Sequence, residues 1–263
     1  MVPPPATEHD LPPRGDRLVL GDCLEVMASL APGSIDLIYI DPPFFTGREQ
    51  AGSAELSFGD RWQSMADYLG WIESRLTRMR ALLKPTGSIY VHLDWHAVHY
   101  VKVAMDGLFG YQNFLNEIVW LYGLGGSSPR YWPRKHDTIL WYARETNQHF
   151  FEAARIPATS QRMKGQTKKA PDHWDIPSLN NMAKERLGYP TQKPEALLER
   201  IITSSCPEGG IVADFFCGSG TTLAVAERTG RGWLGCDISP DAIAMTRARL
   251  AGIGHTLGTE PTA

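Results

Sequence analysis

An acidic residue, two prolines and an aromatic residue stand together at Asp41-Pro42-Pro43-Phe44, directly after the apolar run Ile35–Ile40. The prolines fix the backbone and carry no N–H donor, so carbonyl groups are left to point outward beside the Asp41 carboxylate. This combination predicts a cluster of hydrogen-bond acceptors next to a flat stacking surface, which suits an amino group on a planar base. The simpler alternative is a rigid loop in which Asp41 caps a turn.

A glycine turn follows another apolar run, at Asp214-Phe215-Phe216-Cys217-Gly218-Ser219-Gly220-Thr221-Thr222. Such a turn between a strand and a helix lets a ligand approach the backbone and the first N–H groups of the helix. The third glycine of the dinucleotide fingerprint is missing, which disfavours a nicotinamide cofactor. Asp237 ends the next apolar run, where it is placed to accept hydrogen bonds from ribose hydroxyls. These features favour a nucleoside-bearing cofactor; the alternatives are a tight turn without a ligand and Asp237 as a helix cap.

Short apolar runs alternate with helical patterns along the chain, which is typical of a parallel α/β architecture. Strands are predicted at Arg17–Leu20, Ile35–Ile40, Ser88–Leu93, Glu117–Leu121, Thr138–Tyr142, Ile211–Asp214 and Trp233–Asp237. Helices are predicted through Leu24–Leu30, at Met65–Leu83, at Ala97–Leu108, at Glu195–Ser204, from Thr221 onward, and at Asp241–Leu250. Open α/β sheets bind their ligands at the carboxyl ends of the strands, and both motifs lie at such ends.

The chain divides into five regions by composition and periodicity. Residues 1–16 form a proline-rich lead-in that we expect to be disordered, and residues 253–263 form a loose tail. Regular apolar patterns occupy residues 17–144, with the acidic-proline motif, and residues 189–252, with the glycine turn. Between them, residues 145–188 lose this periodicity and gain polar, proline and basic residues. That change predicts a functional insertion rather than a simple connection.

The overall charge does not indicate a polyanionic partner, because 26 Lys and Arg residues face 29 Asp and Glu residues, a net charge of -3. Local charge does, since residues 155–171 hold basic side chains and no acidic one. A second basic patch, with aromatic residues interleaved, lies at residues 130–135. The predicted nucleic-acid contacts are Arg130, Arg134, Arg162, Lys164, Lys168 and Lys169. The alternative for both patches is a solvated basic surface.

Several classes of protein are disfavoured by this sequence. It has no run of about 18 apolar residues that would predict a membrane span, and residues 1–10 lack the basic and apolar parts of a secretion signal. The four cysteines show neither metal nor disulfide spacing, so we expect buried free thiols in a reducing cytoplasm. His92, Asp94 and His96 alternate near a strand end, but their spacing crosses into a helix, and we predict no metal. The oligomeric state stays open, a homodimer included.

The two motifs together resemble those of the β-class DNA amino-methyltransferases. Two further segments are similar to that family: Gly21-Asp22-Cys23-Leu24-Glu25 near the start, and Tyr189–Ile202 ahead of the glycine turn. The resemblance runs from about Leu18 to Leu250, and the acidic-proline motif precedes the glycine turn as in that circularly permuted class. It implies a Rossmann-like methyltransferase sheet with a target-recognition segment inserted at residues 145–188. It also implies S-adenosylmethionine as cofactor and double-stranded DNA as substrate.

The resemblance implies roles for individual residues as well. In the catalytic motif, Asp41 and the Pro42 carbonyl would hold the target amine, next to Pro43, while Phe44 would stack on a flipped base. Phe45 would either stack too or simply pack against the sheet. The expected cofactor-binding residues are Asp22, Lys193, Asp214, Phe215, Cys217, Gly218, Gly220, Thr221, Thr222 and Asp237.

Each end of the cofactor has its own expected partners among these residues. Asp214 and the Gly218–Gly220 turn would hold the amino-acid end, and Lys193 would meet its carboxylate. Asp237 would bind the ribose and Asp22 the adenine. For Lys193 and Asp22 the alternative is an ordinary surface charge.

The target base follows from the family pattern rather than from the chemistry of the motif. A tetrapeptide that starts with aspartate resembles the adenine-N6 enzymes, whereas the cytosine-N4 enzymes more often start with serine. Adenine is therefore the expected target, and cytosine N4 the alternative. Two other classes are a nucleotide-dependent oxidoreductase and a non-catalytic DNA-binding subunit. The Asp41–Phe44 motif counts against the first, and its coexistence with the cofactor turn counts against the second.

Overall fold

The computed structural model describes residues 16–45, 62–123, 127–158, 160–180, 182–183 and 185–255. The predicted lead-in, apart from its last residue, and the tail beyond residue 255 lie outside the described residues. In the part of the chain that is described, no helix is long and apolar enough to cross a membrane. All four cysteines are buried and free.

Ten strands and six α-helices make up the described chain. The strands are β1 (Arg17–Leu20), β2 (Ile35–Ile40), β3 (Leu83–Leu93), β4 (Phe114–Leu121), β5 (His136–Ala143), β6 (Arg155–Pro157), β7 (Thr167–Lys169), β8 (His173–Asp175), β9 (Ile211–Asp214) and β10 (Gly232–Asp237). The helices are α1 (Cys23–Ala28), α2 (Met65–Leu82), α3 (Val98–Phe109), α4 (Glu195–Ser205), α5 (Thr221–Arg228) and α6 (Pro240–Gly252).

The main sheet has eight strands in the order β1-β10-β9-β2-β3-β5-β4-β8. Strands β1, β10, β9, β2 and β3 are parallel, whereas β5 runs antiparallel to both of its neighbours and β8 runs parallel to β4. The last two strands of the sequence therefore lie between its first two. This arrangement confirms the circularly permuted, Rossmann-like sheet that the order of the motifs predicts.

Helices cover both faces of this sheet, which explains why its central strands are continuous apolar runs. Ile38 and Ile40 of β2 pack on the side of α1, α2 and α3. The alternate residues Leu37 and Tyr39 pack on the side of α4, α5 and α6. β2 is buried along its whole length, so the acidic-proline motif that follows it starts from a rigid support.

β3 starts earlier than the sequence pattern predicts. Leu83, directly after α2, already pairs with Ile35, and the register then shifts before the rest of the strand. Gly87 makes this close crossing possible, because a side-chain carbon there would lie 2.9 Å from the Asp36 carbonyl oxygen. The sequence predicts a helix to Leu83 and a strand only from Ser88, since local pattern does not reveal a pairing of this kind.

The predicted insertion at residues 145–188 is more regular than its polar composition indicates. β6 and β7 form an antiparallel hairpin, and β8 pairs with β4 at the edge of the main sheet. Trp174 of β8 is buried, and the Trp120 indole donates a hydrogen bond of 2.7 Å to the Ile176 carbonyl. The end of this segment is therefore part of the main sheet.

Candidate active site

Four carboxyl groups stand in a row at the carboxyl edge of the parallel strands. Asp22 follows β1, Asp237 ends β10, Asp214 ends β9 and Asp41 follows β2, and these four strands are consecutive neighbours in the sheet. All four residues line one cavity of about 200 Å³. The strand order thus joins two motifs that are far apart in the sequence.

Two of these carboxyl groups hold the glycine turn in place. Asp214 accepts a hydrogen bond of 3.0 Å from the Phe216 N–H and one of 2.5 Å from the Thr222 hydroxyl. Asp237 accepts the Gly218 N–H at 2.9 Å. The turn is therefore fixed from both sides, which suits it to present its backbone to a ligand.

Asp214 lies in an unusual electrostatic environment for a carboxyl group. Burial raises the pKa of Asp214 to about 7, and the negative charges of Asp41 and Asp237 also raise it. The hydrogen bonds from Thr222 and Phe216 lower the pKa, but by less than burial raises it. A cationic ligand group beside it would favour the ionised carboxylate. Burial also raises the pKa of the Cys217 thiol, so this cavity-lining cysteine is not activated as a nucleophile.

Asp237 and Asp22 are both anchored while still facing the cavity. The second oxygen of Asp237 accepts the Ser239 N–H at 2.9 Å, and burial raises the pKa of this carboxyl group. Each carboxylate oxygen has two lone pairs, so Asp237 keeps capacity for a hydroxyl donor. Asp22 caps α1 through the Leu24 N–H at 2.8 Å and forms an ion pair of 3.0 Å with Arg75.

The Asp41 carboxylate is held on one side only. Lys193 donates a hydrogen bond from its ammonium group to Oδ2 of Asp41. Oδ1 of Asp41 is buried and, among the residues that the structure describes, has no hydrogen-bond partner. The Thr221 hydroxyl donates to the Lys193 carbonyl at 3.3 Å, which links this pair to the glycine turn. A buried acceptor without a partner is costly, so Oδ1 is a ready acceptor for a donor that enters the cavity.

The Phe44 ring flanks this acceptor. Its centroid lies 5.7 Å from Nζ of Lys193 and 6.2 Å from the His92 ring. His92 is fixed by the Tyr39 hydroxyl at 2.8 Å and the Asp137 carboxylate at 3.2 Å. The support under the Phe44 ring is therefore rigid.

The other members of the acidic-proline loop differ in their surroundings. Pro42 is buried and Pro43 is half-buried, and both line the cavity. The Phe45 ring packs against Tyr68, with 5.9 Å between centroids. Of the two expectations for Phe45, packing is the contact that is present.

His92, Asp94 and His96 do not converge on a common point. His92 binds Tyr39 and Asp137, whereas Asp94 pairs with His96 at 2.5 Å. Among the described residues, one set of groups lies close enough to share an ion, and none of its members lines the cavity: Asp16, Glu227 and His255.

The cavity brings together nearly all of the residues that the sequence singled out for the chemistry and the cofactor. Its lining includes the whole catalytic motif, and of the expected cofactor residues Gly220 alone is missing from it. Gly220 caps α5 with a φ of 71°, and a side-chain carbon there would lie 2.6 Å from the Thr246 side chain. The space beside Gly220 is therefore filled by α6, and the geometry of the turn requires a glycine here; its contact with the cofactor stays a prediction.

Several residues that line the same cavity were not predicted from the sequence, among them Trp71, Arg75 and Tyr189. The Arg75 guanidinium lies 4.3 Å from the Trp71 ring centroid and pairs with Asp22. The Tyr189 ring covers Gly218, where a side-chain carbon would approach it to 3.1 Å. Arg75 could have been predicted as a charged residue beside the apolar face of α2. Tyr189 begins the family-like segment Tyr189–Ile202, but the sequence pattern does not indicate a role for its side chain.

Residues 35–248 match the N6/N4 family of DNA methylases. The chain belongs to this family. It is 31% identical over 239 residues to the type II methyltransferase M.HpaI of Haemophilus parainfluenzae, covering 89% of this chain and 74% of that one. It is 29% identical over 254 residues to the DNA adenine methyltransferase YhdJ of Escherichia coli K12, covering 90% and 83%.

The fold of the methylase is also found among solved structures. The PvuII DNA methyltransferase, a cytosine-N4-specific enzyme, superposes with a TM-score of 0.69 at 21% identity, over 88% of this chain and 85% of that one. At this identity the likeness concerns the fold. It confirms the methyltransferase architecture expected from the sequence.

Members of this family use S-adenosylmethionine, which confirms the predicted cofactor. The cavity fits such a ligand in its chemistry. The Gly218 turn presents backbone beside the buried Asp214, whose raised pKa favours a cationic neighbour. Asp237 retains acceptor capacity for hydroxyl groups.

The two basic patches of the methylase lie in different parts of the fold. Arg130 and Arg134 belong to the connection between β4 and β5 and are exposed. The other patch lies on and near the β6–β7 hairpin, and its members are Arg162, Lys164, Lys168 and Lys169. The base of this hairpin, at Ala154 and Ala170, lines a second cavity together with Arg200 of α4. Both patches remain predicted DNA contacts.

Proposed function

We propose that this methylase transfers a methyl group from S-adenosylmethionine to the N6 amine of adenine in double-stranded DNA. The observation that carries the proposal is the Oδ1 atom of Asp41, which is buried beside Phe44 and has no hydrogen-bond partner among the described residues. Family membership supports methyl transfer to DNA. The adenine base and the individual residue roles are inferences from this geometry.

The chemical task of the protein is to make a base amine nucleophilic. The lone pair of this amine is delocalised into the ring. Hydrogen bonds from the amine to Oδ1 of Asp41 and to the Pro42 carbonyl would draw the nitrogen toward a tetrahedral geometry and free that lone pair. Orientation and electrostatics would then provide the catalysis, and no covalent intermediate with the protein is needed.

The target base has to leave the duplex to reach Asp41, which costs a few kcal/mol. Stacking on the Phe44 ring would return about 1–3 kcal/mol. The His92 support below the ring keeps it in place. A rigid aromatic surface next to the acceptor therefore meets the needs of a flipped base.

The residues that would hold S-adenosylmethionine lie at the ends of β1, β9 and β10. When bound, this cofactor supplies a methyl group on a positively charged sulfur. Asp214 and the glycine turn would bind its ammonium end, Asp237 the ribose and Asp22 the adenine ring. The buried Asp214 would be held ionised by the ammonium charge.

Adenine is favoured over cytosine for two reasons. The acidic-proline motif starts with Asp41, the form that resembles the adenine enzymes, and one relative is a DNA adenine methyltransferase. The cytosine-N4 alternative is supported by the cytosine-specific enzyme among the structural neighbours. Asp41 and the Pro42 carbonyl can hold either amine.

The test is mass spectrometry of nucleosides from plasmid DNA that has been incubated with the purified protein and S-adenosylmethionine. N6-methyladenine is expected. N4-methylcytosine without N6-methyladenine would contradict the adenine assignment, but it would still support methyl transfer to DNA. Asp41→Ala should lower the rate by at least about 100-fold while binding of S-adenosylmethionine, measured by calorimetry, persists. The matched control is Asp241→Ala, at an exposed position in α6.

A further inference from the structure

The connection between β4 and β5 lies at the same edge of the sheet as Asp41. β4 runs in the same direction as β3, and β5 runs opposite to both. β4 therefore ends, and β5 begins, at the carboxyl edge of the parallel strands. Residues 127–135 of this connection are described, so this part of the chain borders the catalytic edge.

Arg134 fastens this segment to the end of β3. Its guanidinium carbon lies 3.8 Å from the Trp95 ring centroid and 4.8 Å from the Tyr131 centroid. Trp95 follows β3 by two residues. A cation between two rings is worth about 0.5–1 kcal/mol or more per contact, so the segment is held against the sheet.

Trp132 projects from this anchored segment into solvent. It is 92% exposed, and no aromatic partner for it is found within the described residues. Tyr131 and Pro133 flank it, and the proline restricts the backbone beside it. Tyr131 and Trp95 are also exposed, at 57% and 46%, and a patch of exposed apolar side chains marks an interaction site.

The same segment is connected to the acceptor through one buried residue. The Asp137 carboxylate, in β5, accepts a hydrogen bond of 3.2 Å from Nε2 of His92, and the His92 ring lies 6.2 Å from the Phe44 ring. β5, which holds the His92 ring through Asp137, begins at His136, directly after the segment that carries Trp132. The segment therefore leads straight into a strand that supports the ring beside Phe44.

The charge of the segment selects the partner. Arg130 and Arg134 are exposed beside Trp132, and cations interleaved with aromatic rings suit a polyanion made of stacked bases. Proteins can insert apolar side chains between the base steps of a duplex, and aromatic side chains stack on bases. A duplex therefore fits this surface better than a protein does.

On the basis of the function proposed above, we propose that Trp132 inserts into the base stack of the DNA, at the space that the flipped target leaves. Arg134, clamped by Trp95 and Tyr131, holds the indole in position. Phe44 would stack on the extruded base while Trp132 fills the gap. Trp132 is then a positioning residue that stabilises the open duplex and takes no part in the methyl transfer itself.

The test compares variants on two synthetic duplexes that contain the site identified by single-molecule sequencing of DNA methylated by the protein. One duplex is fully paired, and the other has an abasic position opposite the target base, so the target has no pairing partner. Trp132→Ala should lower kcat/KM on the paired duplex about 10- to 100-fold and on the abasic duplex by less than about threefold. Trp132→Phe should retain most of the activity.

A matched control is Tyr111→Ala, because Tyr111 is 73% exposed and lies just before β4, at the opposite edge of the sheet. It should behave as the wild type on both duplexes. Equal losses for Trp132→Ala on the paired and abasic duplexes would overturn the proposal, and so would a change of oligomeric state in light scattering, which would make Trp132 a contact between two copies. Absence of transfer by the wild type would instead refute the proposed function.

Discussion

The ammonium group of Lys193 donates a hydrogen bond to the catalytic-motif carboxylate of Asp41, across 152 positions of sequence. The sequence predicts that Lys193 meets the carboxylate of the cofactor, and this role stays a prediction. In the structure the ammonium group donates to Asp41, where it holds one carboxylate oxygen and leaves the other to a ligand. Lys193 therefore stands between the cofactor turn, through Thr221, and the acceptor.

Lys193→Met should affect methyl transfer more than cofactor binding. The variant removes the partner of Oδ2, so the carboxylate loses its fixed orientation, and we expect transfer to fall by about 10- to 100-fold. The dissociation constant of S-adenosylmethionine, measured by calorimetry, should change by less than about threefold, well under 1.4 kcal/mol. Lys193→Arg is the control that keeps the charge. A large loss of cofactor affinity with normal maximal turnover would show that Lys193 acts mainly on the carboxylate of S-adenosylmethionine.

Binding of S-adenosylmethionine should strengthen as the pH rises through neutrality. Burial raises the pKa of Asp214 to about 7, so this carboxyl group is mostly neutral at pH 6 and mostly ionised at pH 8. If the ionised form binds the ammonium end, affinity should rise about tenfold between these values. Calorimetry at a series of pH values measures this. Asp214→Asn should bind more weakly and lose most of the pH dependence; an unchanged slope would assign it to another group.

Gly220→Leu should destabilise the fold rather than merely block the cavity. Gly220 has a φ of 71°, and an added side chain would collide with Thr246. We expect the free energy of unfolding to fall by about 2–5 kcal/mol, measured by urea denaturation, with loss of cofactor binding as a consequence. Gly70→Ala is the control, because nothing lies within 4 Å of the added carbon. A fully stable Gly220→Leu protein that fails to bind cofactor would contradict this explanation.

The hairpin lysines should govern DNA affinity more than turnover at saturating DNA. Lys168 and Lys169 lie in β7, and replacing both with Ala would remove two phosphate contacts. The slope of log K against log salt should flatten by about 1.8, measured by fluorescence anisotropy of a labelled duplex at several salt concentrations. Arg247→Ala, at an exposed position in α6, is the control. Identical slopes for the double variant and the wild type would show that these lysines face solvent.

The sequence by itself determined the elements and the chemistry at their ends. β1, β2 and β9 have the predicted bounds, because a short, mostly apolar run that ends in a turn is a local signal. Asp41, Asp214 and Asp237 were recognised for the same reason: an acidic residue directly after such a run needs no knowledge of the rest of the chain. The family pattern then supplied the order of the motifs and, with it, the permuted sheet.

Only the tertiary structure decided which of these ends meet and what each side chain contacts. β9 and β10 pair between β1 and β2, which brings the glycine turn beside Asp41. Helix packing and the segment ahead of α4 then place Arg75 on Asp22 and Lys193 on Asp41. The sequence predicts Gly220 as a cofactor contact, and it does not reveal that α6 fills the space beside this glycine. Periodicity reports which face of an element is buried, whereas the partner on that face depends on the packing of segments that are distant in sequence. Contacts of that kind leave no local pattern, which is why sequence reasoning found the site but not its internal connections.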